Sequence, residues 1–274
     1  MLKGEIAAER RRRLEMMISV DEAVADIVDE LDDEGILDDT YIVFASDNGF
    51  FRGEHRIGSG KYLPYEPASR VPLMIRGPGI PAGRTSDELV SAIDIPQTIR
   101  EITTGAEDPG ADGRSFLPHA LDPSLRSTRP LLLEADTGPG KGNAGFDPQN
   151  ASVSRAKLSK LRLGGFRGVK DLDQEHMGAS KSVANGNFAP AYRAIRTDRY
   201  LYVLYANGQT ELYDLLLDPA QLRSKHADPR YRFVRAFLFG ELIGLATCDA
   251  GACRTESGPD LPPLPKKKGK KRKR

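Results

Sequence analysis

The side chains best suited to chemistry lie in one stretch, FASDNGFFRGEHRIGSGKYLPYE, at residues 44–66. Asp47 and Asn48 follow an apolar run, and their carboxylate and amide oxygens are hard donors that suit Ca²⁺ or Mg²⁺. Lys61 lies fourteen positions after Asp47, and its ammonium group can stabilise an anion. His55 lies between them and could donate a proton. The stretch therefore predicts a cation site beside an anion-binding group.

Each of these signals also has an ordinary structural explanation. The sequence Asp-Asn-Gly is a favourable turn in its own right, and Gly49 permits a sharp change of chain direction. A single lysine or histidine in a polar loop is usually a solvated surface group. Two oxygen ligands alone make an incomplete metal site, so spacing by itself leaves both interpretations open.

The elements around this stretch predict an α/β fold. Apolar residues recur at three-to-four spacing through residues 5–34, which indicates a long amphipathic helix that Gly35 ends. The run TYIVFAS at 40–46 is short and apolar, as is typical of a central parallel strand covered on both faces. Ligands collect at the carboxyl ends of such strands, so the turn at Asp47 is placed for function.

The rest of the chain continues this pattern and then changes. A second strand is predicted at 70–79, a helix capped by Asp94 at 92–105, and another strand in RPLLLEA at 129–135. Residues 136–190 show no long periodic segment and indicate an irregular insertion. Three aromatic-rich runs within 191–215 predict a β-meander, and the segment after it predicts a helix that covers one face.

Charge and cysteine content place few limits on function. The last nine residues, KKKGKKRKR at 266–274, carry eight of the positive charges in a chain whose formal net charge is +1. This tail is a solvated appendage or binds a polyanion such as nucleic acid, anionic lipid or an acidic partner. Cys248 and Cys253 could form a small disulfide or remain free thiols. The sequence contains no apolar run long enough for a transmembrane segment.

The order of these motifs resembles the sulfatase family, in its arylsulfatase and glucosamine-6-sulfatase-like members. The likeness rests on SDNG, GEH, the following lysine, YE, RVPLMIRGPG and SAIDIPQTI, and it resumes in YRAIRTDRYLYVLYANGQTELYDLLLDP. It implies an alkaline-phosphatase-like mixed sheet flanked by helices, present here in part, with a small C-terminal subdomain. It also implies hydrolysis of an aryl or carbohydrate sulfate ester with a bound divalent cation, usually calcium.

The resemblance assigns roles residue by residue. Asp47 and Asn48 match metal ligands of the family, and Lys61 matches the lysine that contacts the substrate sulfate. His55 matches the GEH position, which we expect near the mouth of the substrate site, with a possible part in catalysis.

The chain departs from the family at the nucleophile. Sulfatases carry a Cys or Ser in a C/S-x-P-x-R motif that is oxidised to formylglycine, and this motif does not occur in residues 1–274. An early pair of Asp ligands is not found either. We therefore expect the sequence to start part-way through a sulfatase domain, to be inactive alone, and to need an N-terminal half encoded upstream.

The resulting domain prediction has four segments: a catalytic part at 1–135, the insertion at 136–190, a subdomain at 191–247 and a disordered tail at 248–274. Two other functions stay open. The chain could be a noncatalytic protein that binds a polyanion or a sulfated ligand, or a phosphoesterase of the alkaline-phosphatase superfamily. The compartment is not predicted, because family members are often exported and no signal peptide is visible here.

Overall fold

A computed structural model describes residues 3–57, 60–135, 191–206 and 208–256. Contacts divide the chain into two compact units. The first contains the described residues up to 108 together with 113–127, and the second contains 109–112 and the described residues from 128 onward. The predicted insertion at 136–190 and the basic tail at 266–274 lie outside the described residues. Among the helices that are described, none has the length and apolar character to cross a membrane.

The first unit begins with the predicted long helix, α1, at Lys3–Asp33. Gly35 follows it with a left-handed φ of 68°, which confirms the predicted stop. Much of the apolar stripe of α1 is nevertheless exposed, at Leu14, Met16, Met17, Ile18, Val20 and Ile27. The helix therefore forms as its periodicity predicts, but in the described part of the chain much of its apolar face is exposed, whereas such a stripe is normally buried.

Strand β1, Ile42–Ala45, pairs with β2, Leu73–Arg76. The pairing is antiparallel, with Ile42 opposite Arg76 and Ala45 opposite Leu73. We expected β1 to be a central parallel strand. This expectation is wrong for its pairing with β2, the partner seen in the described residues. The apolar run indicates burial, but it does not specify the direction of the neighbouring strand.

The described residues of this unit include three further α-helices: α2 at Glu66–Ser69, α3 at Asp94–Thr104 and α4 at Leu117–Leu121. Asp94 does not cap α3 as predicted. Its buried carboxylate instead accepts hydrogen bonds from the backbone N–H groups of Ser91 and Arg114, each at 2.8 Å. Asp94 therefore joins α3 to a later loop, a tertiary role that a local capping pattern does not reveal.

The second unit is built on one antiparallel sheet of four described strands in sequential order. Its strands are β3 at Leu131–Ala135, β4 at Tyr192–Arg196, β5 at Tyr200–Tyr205 and β6 at Thr210–Asp214. The predicted β-meander is confirmed. The run RPLLLEA, predicted as part of the catalytic segment, instead contributes β3, which pairs with β4 at the edge of this sheet as far as the described strands extend.

Helix α5, Arg232–Leu245, packs on the sheet as predicted, with Val234, Leu238 and Leu242 buried. Next to this core, the fully buried carboxylate of Asp214 accepts two hydrogen bonds from Arg199, at 3.0 and 2.8 Å, and one from the Tyr231 hydroxyl at 2.9 Å. The hydrogen bonds to Asp214 raise the pKa of Arg199. This network ties β6 to the segment that begins α5.

Cys248 and Cys253 form a disulfide after α5, which decides the alternative that the sequence left open. The bridged segment is fixed to residues 111–112 by two contacts. The backbone N–H of Ala250 donates to Asp112 Oδ1 at 2.8 Å, and Arg254 Nε donates to the carbonyl oxygen of Ala111 at 2.8 Å. The bridge therefore holds an ordered segment in place, and residues 248–256 are not part of a disordered tail.

Candidate metal and anion site

The polar turn after β1 is held against helix α2. The backbone N–H of Gly49 donates to the carbonyl oxygen of Ala68 at 2.8 Å. A Cβ atom at Gly49 would lie 2.2 Å from the carbonyl oxygen of Pro67. Gly49 is not among the residues with a left-handed backbone, so this glycine is needed for a close approach and not for the sharp turn we expected.

Hydrogen bonds within this turn orient the Asn48 side chain. Asn48 Nδ2 donates to the carbonyl oxygen of Gly49 at 3.0 Å, and Ser46 Oγ donates to the carbonyl oxygen of Asn48 at 3.0 Å. The amide nitrogen of Asn48 is thereby engaged with the backbone. The amide oxygen, Oδ1, is left to face a donor or a cation.

Asn48 and Lys61 meet directly. Lys61 Nζ donates to Asn48 Oδ1 at 2.6 Å, a short distance typical of a charge-assisted hydrogen bond. Asp47 is the adjacent residue in the chain, and its side chain is exposed. The structure thus brings two of the three predicted metal-binding and anion-binding residues, Asn48 and Lys61, into contact, and Asp47 precedes Asn48 in the chain.

The loop that carries Lys61 is anchored at several points. Phe51 and Gly60 form a β-bridge, in which the N–H of Phe51 donates to the carbonyl oxygen of Gly60 at 2.8 Å. The side chains of Phe51, Ile57, Leu63 and Tyr65 are buried. Residues on both sides of Lys61 are therefore fixed, which restrains the backbone that carries its exposed ammonium group.

Helix α1 supports the same loop from another side. The guanidinium of Arg13 lies 4.2 Å from the centroid of the Phe50 ring, a cation–π distance. The Ile6 side chain approaches Gly53 so closely that a Cβ there would lie 2.9 Å from Ile6 Cδ1. The N-terminal half of α1 therefore contributes to positioning the candidate site.

His55 lies in an aromatic group. It has a left-handed backbone, with φ 53° and ψ 18°, and its ring stacks on Tyr65 with centroids 4.3 Å apart and planes 15° apart. The Phe51 ring meets His55 edge-on at 6.3 Å. Sequence reasoning identified His55 but missed Phe51 and Tyr65, because spacing along the chain does not show which aromatic rings meet.

The donor set suits a hard cation only in part. Asp47 supplies a carboxylate oxygen and Asn48 an amide oxygen, which are the oxygen types that Ca²⁺ and Mg²⁺ prefer. In the part of the chain that the structure describes, no group of three or more His, Cys, Asp or Glu residues could hold a metal ion. These two residues can therefore contribute to a metal site, with further ligands needed to complete its coordination.

Comparison with known proteins identifies the relationship. Residues 3–106 match the family model described as Sulfatase. An N-acetylglucosamine-6-sulfatase from the goat, Capra hircus, is 31% identical over 258 residues, which cover 89% of this chain and 41% of the goat enzyme. The chain is homologous to the sulfatases. The predicted family resemblance is confirmed, and the candidate site lies inside the sulfatase match.

Solved structures confirm the fold class of this sulfatase homologue. The structure of BT4656 in complex with its substrate, D-glucosamine-2-N,6-O-disulfate, superposes with a TM-score of 0.58 at 24% identity, covering 83% of this chain and 38% of that one. A phosphonate monoester hydrolase of Agrobacterium radiobacter superposes with a TM-score of 0.58 at 27% identity, covering 84% and 40%. The chain therefore spans about two fifths of the length of each of these three proteins.

Proposed function

We propose that this chain supplies the metal-binding and sulfate-binding end of a sulfatase active site. The contact between Lys61 Nζ and Asn48 Oδ1 at 2.6 Å carries the proposal, because it places an ammonium group directly beside a metal-type oxygen ligand. The sulfatase match covers Asp47, Asn48 and Lys61 together. In this assignment Asp47 and Asn48 hold a divalent cation and Lys61 contacts a sulfate oxygen.

The chemistry of these residues suits a sulfate ester. An ammonium group has three N–H donors, so Lys61 can donate to sulfate oxygens, and Asn48 Oδ1 can ligate the cation once Lys61 turns from it to the sulfate. Its charge stabilises the negative charge that develops on the sulfuryl oxygens as the ester bond breaks. A bound divalent cation would supply further charge stabilisation at the same oxygens. Burial of Phe51 and Tyr65 fixes the loop that holds Lys61 in place.

Calcium fits these donors better than magnesium in this proposal. Asp47 is exposed and Asn48 is held by backbone contacts, so these two residues supply oxygen ligands but do not impose a rigid octahedral geometry on the cation. Ca²⁺ accepts variable geometry and a larger number of oxygen ligands, whereas Mg²⁺ requires a near-ideal octahedron.

A sulfated amino sugar is the substrate class to test first. The goat relative is named an N-acetylglucosamine-6-sulfatase, and BT4656 was solved with a disulfated glucosamine. In this proposal His55, stacked on Tyr65, lies near the mouth of the substrate site. Its packing supports a role in shaping that site, and its part in catalysis stays a prediction.

Residues 1–274 do not contain the C/S-x-P-x-R motif, so they do not supply the formylglycine nucleophile of sulfatases. We infer that hydrolysis through formylglycine requires a polypeptide that carries this motif. An N-terminal half encoded upstream, joined to this chain or expressed beside it, would meet the requirement.

Turnover of a chromogenic sulfate ester in the presence of Ca²⁺ tests the proposal. We expect none from residues 1–274 alone, and turnover from a form that includes the formylglycine motif. In that form Lys61→Ala lowers kcat/KM about 10²-fold, the effect of removing one oxyanion donor. Lys225→Ala is the matched control, because Lys225 lies in the second unit. Turnover that is unaffected by Lys61→Ala would contradict the assignment of Lys61.

Hydrolysis of a phosphorus ester is a second candidate. The similarity to the phosphonate monoester hydrolase favours it, at 27% identity and a TM-score of 0.58. An ammonium group beside an oxygen-ligated cation would serve a phosphonate or phosphate oxygen as well as a sulfate oxygen. Turnover of matched aryl sulfate, aryl phosphate and aryl phosphonate esters separates the two candidates by the ratio of kcat/KM values.

A further inference from the structure

A cluster of exposed leucines stands out in the second unit. Leu216, Leu217 and Leu222 are 73, 65 and 68% exposed. They lie within residues 215–223, which follow β6 and are called the leucine loop below. A single exposed leucine is ordinary on a protein surface, but three within seven residues form a local apolar patch.

The leucine loop is a fixed structure. The Asp218 carboxylate accepts hydrogen bonds from the backbone N–H groups of Leu222, at 3.1 Å, and Arg223, at 2.7 Å. These bonds bring the two leucine-bearing ends of the loop together. The N–H groups of Leu217 and Asp218 both donate to the carbonyl oxygen of Asp214. The loop is thus anchored to the end of β6.

One residue of the loop points inward and shows which side is anchored. Gln221 is 1% exposed and has a left-handed backbone with φ 56°. Its neighbour Leu222 is among the exposed leucines. The loop buries a polar side chain and exposes its leucines to solvent. On the surface of a monomeric protein the usual arrangement is the opposite, with polar side chains exposed and leucines buried. A fixed apolar patch of this kind is typical of a surface that contacts another phase or molecule.

Positive charge accompanies the leucines. Residues 215–235 contain five Lys or Arg residues and two Asp residues, a net of +3. Both carboxylates bind groups within the segment, Asp218 at the loop amides and Asp228 at Arg230. Arg223 and Arg232 are exposed. Arg232 lies over the ring of Phe233, which is also exposed.

We propose that the leucine loop is a docking surface for an anionic lipid bilayer. Leucine side chains can enter the boundary between headgroups and acyl chains, and nearby arginines can bind lipid phosphates. The charge decides among possible occupants, because a segment with a net of +3 fits an anionic lipid surface better than a second copy of itself. The proposal concerns the second unit and does not depend on the function proposed for Asp47, Asn48 and Lys61.

A tryptophan reporter tests the insertion directly. The chain contains no tryptophan, so Leu217→Trp gives a single fluorescent probe within the loop. We expect its emission to shift to the blue with vesicles of phosphatidylcholine and phosphatidylglycerol, and brominated lipid to quench it. Phe44→Trp, in the first unit, is the matched control and should not respond. An unshifted emission from Leu217→Trp in the presence of bound vesicles would overturn the proposal.

Vesicle co-sedimentation measures the contribution of the leucines. We expect Leu216→Ser/Leu217→Ser/Leu222→Ser to weaken binding to phosphatidylglycerol-containing vesicles by about tenfold or more, since each leucine loses apolar burial. Leu14→Ser/Met17→Ser on α1 removes comparably exposed side chains and should bind as the unmodified chain does. Equal binding by the triple variant would overturn the proposal and assign the affinity to another part of the chain.

Two further outcomes would also overturn the proposal that the leucine loop binds an anionic bilayer. One is failure of the unmodified chain to bind these vesicles. The other is self-association in sizing that the triple variant abolishes, which would show a second copy to be the occupant. Far-ultraviolet circular dichroism of each variant confirms that the substitutions leave the fold intact.

Discussion

Lys61 Nζ donates to Asn48 Oδ1 at 2.6 Å across thirteen residues of chain. This bond joins the turn after β1 to a loop held by the Phe51–Gly60 bridge. It brings an ammonium group and a metal-type oxygen into direct contact.

Gly49→Ala should disrupt the turn. The added Cβ would lie 2.2 Å from the carbonyl oxygen of Pro67, so the backbone must move. We expect the free energy of unfolding to fall by about 1–3 kcal/mol, the usual cost of overpacking. Gly4→Ala in α1 is the matched control, because a Cβ there meets nothing within 4 Å. Urea denaturation measures both, and equal stability of the two variants would contradict the close approach at Gly49.

His55 is expected to position the loop through its ring stack. His55→Phe keeps an aromatic face against Tyr65, whereas His55→Ala removes it. Hydrogen exchange at the amides of Phe51 and Ile57 should therefore accelerate in His55→Ala and change little in His55→Phe. In a catalytically competent form, loss of activity in His55→Phe with unchanged exchange would instead indicate proton transfer by the imidazole.

Asp214→Asn should destabilise the second unit. The fully buried carboxylate of Asp214 accepts bonds from Arg199 and Tyr231, and an amide cannot accept all of them. We expect a loss of about 2–4 kcal/mol in the free energy of unfolding, somewhat less than for a fully buried pair because Arg199 is partly exposed. Asp218→Asn, in the neighbouring loop, should cost less. A neutral Asp214→Asn in denaturant titration would contradict the network.

Stability should fall at alkaline pH. Burial raises the pKa of Tyr192, Tyr202 and Tyr231 above the usual value for tyrosine, and the hydrogen bond to Asp214 adds to the effect at Tyr231. The folded state therefore holds these phenolic protons more tightly than the unfolded state does. The resulting stabilisation is complete below pH about 10 and is lost as the pH rises further. Midpoints of thermal unfolding that stay constant as the pH rises above about 10 would contradict this contribution of the tyrosines.

The sequence predicted the elements whose signals are local. The periodicity of residues 5–34 and the position of Gly35 specify α1, and the aromatic runs with their turns specify β4, β5 and β6. Each of these depends on spacing within a few residues. Helix α5 follows from the same kind of pattern.

Pairings between distant segments were harder to predict. The apolar character of β1 does not encode an antiparallel partner, and RPLLLEA has no feature that assigns β3 to the second sheet. The stack of His55 on Tyr65 depends likewise on how the loop closes. The candidate site was found because its polar residues lie within one short stretch, and the resemblance to sulfatases supplied their roles.

The most direct test of the site is the response of the Asn48 side-chain amide to ligands, followed by two-dimensional NMR. We predict that Ca²⁺ shifts the Asn48 signals weakly but saturably and that Asp47→Asn abolishes the response. Sulfate added with Ca²⁺ should shift them further, and Lys61→Ala should remove that second step. Signals that do not move with Ca²⁺ or sulfate, or that move equally in Asp47→Asn and Lys61→Ala, would contradict the account.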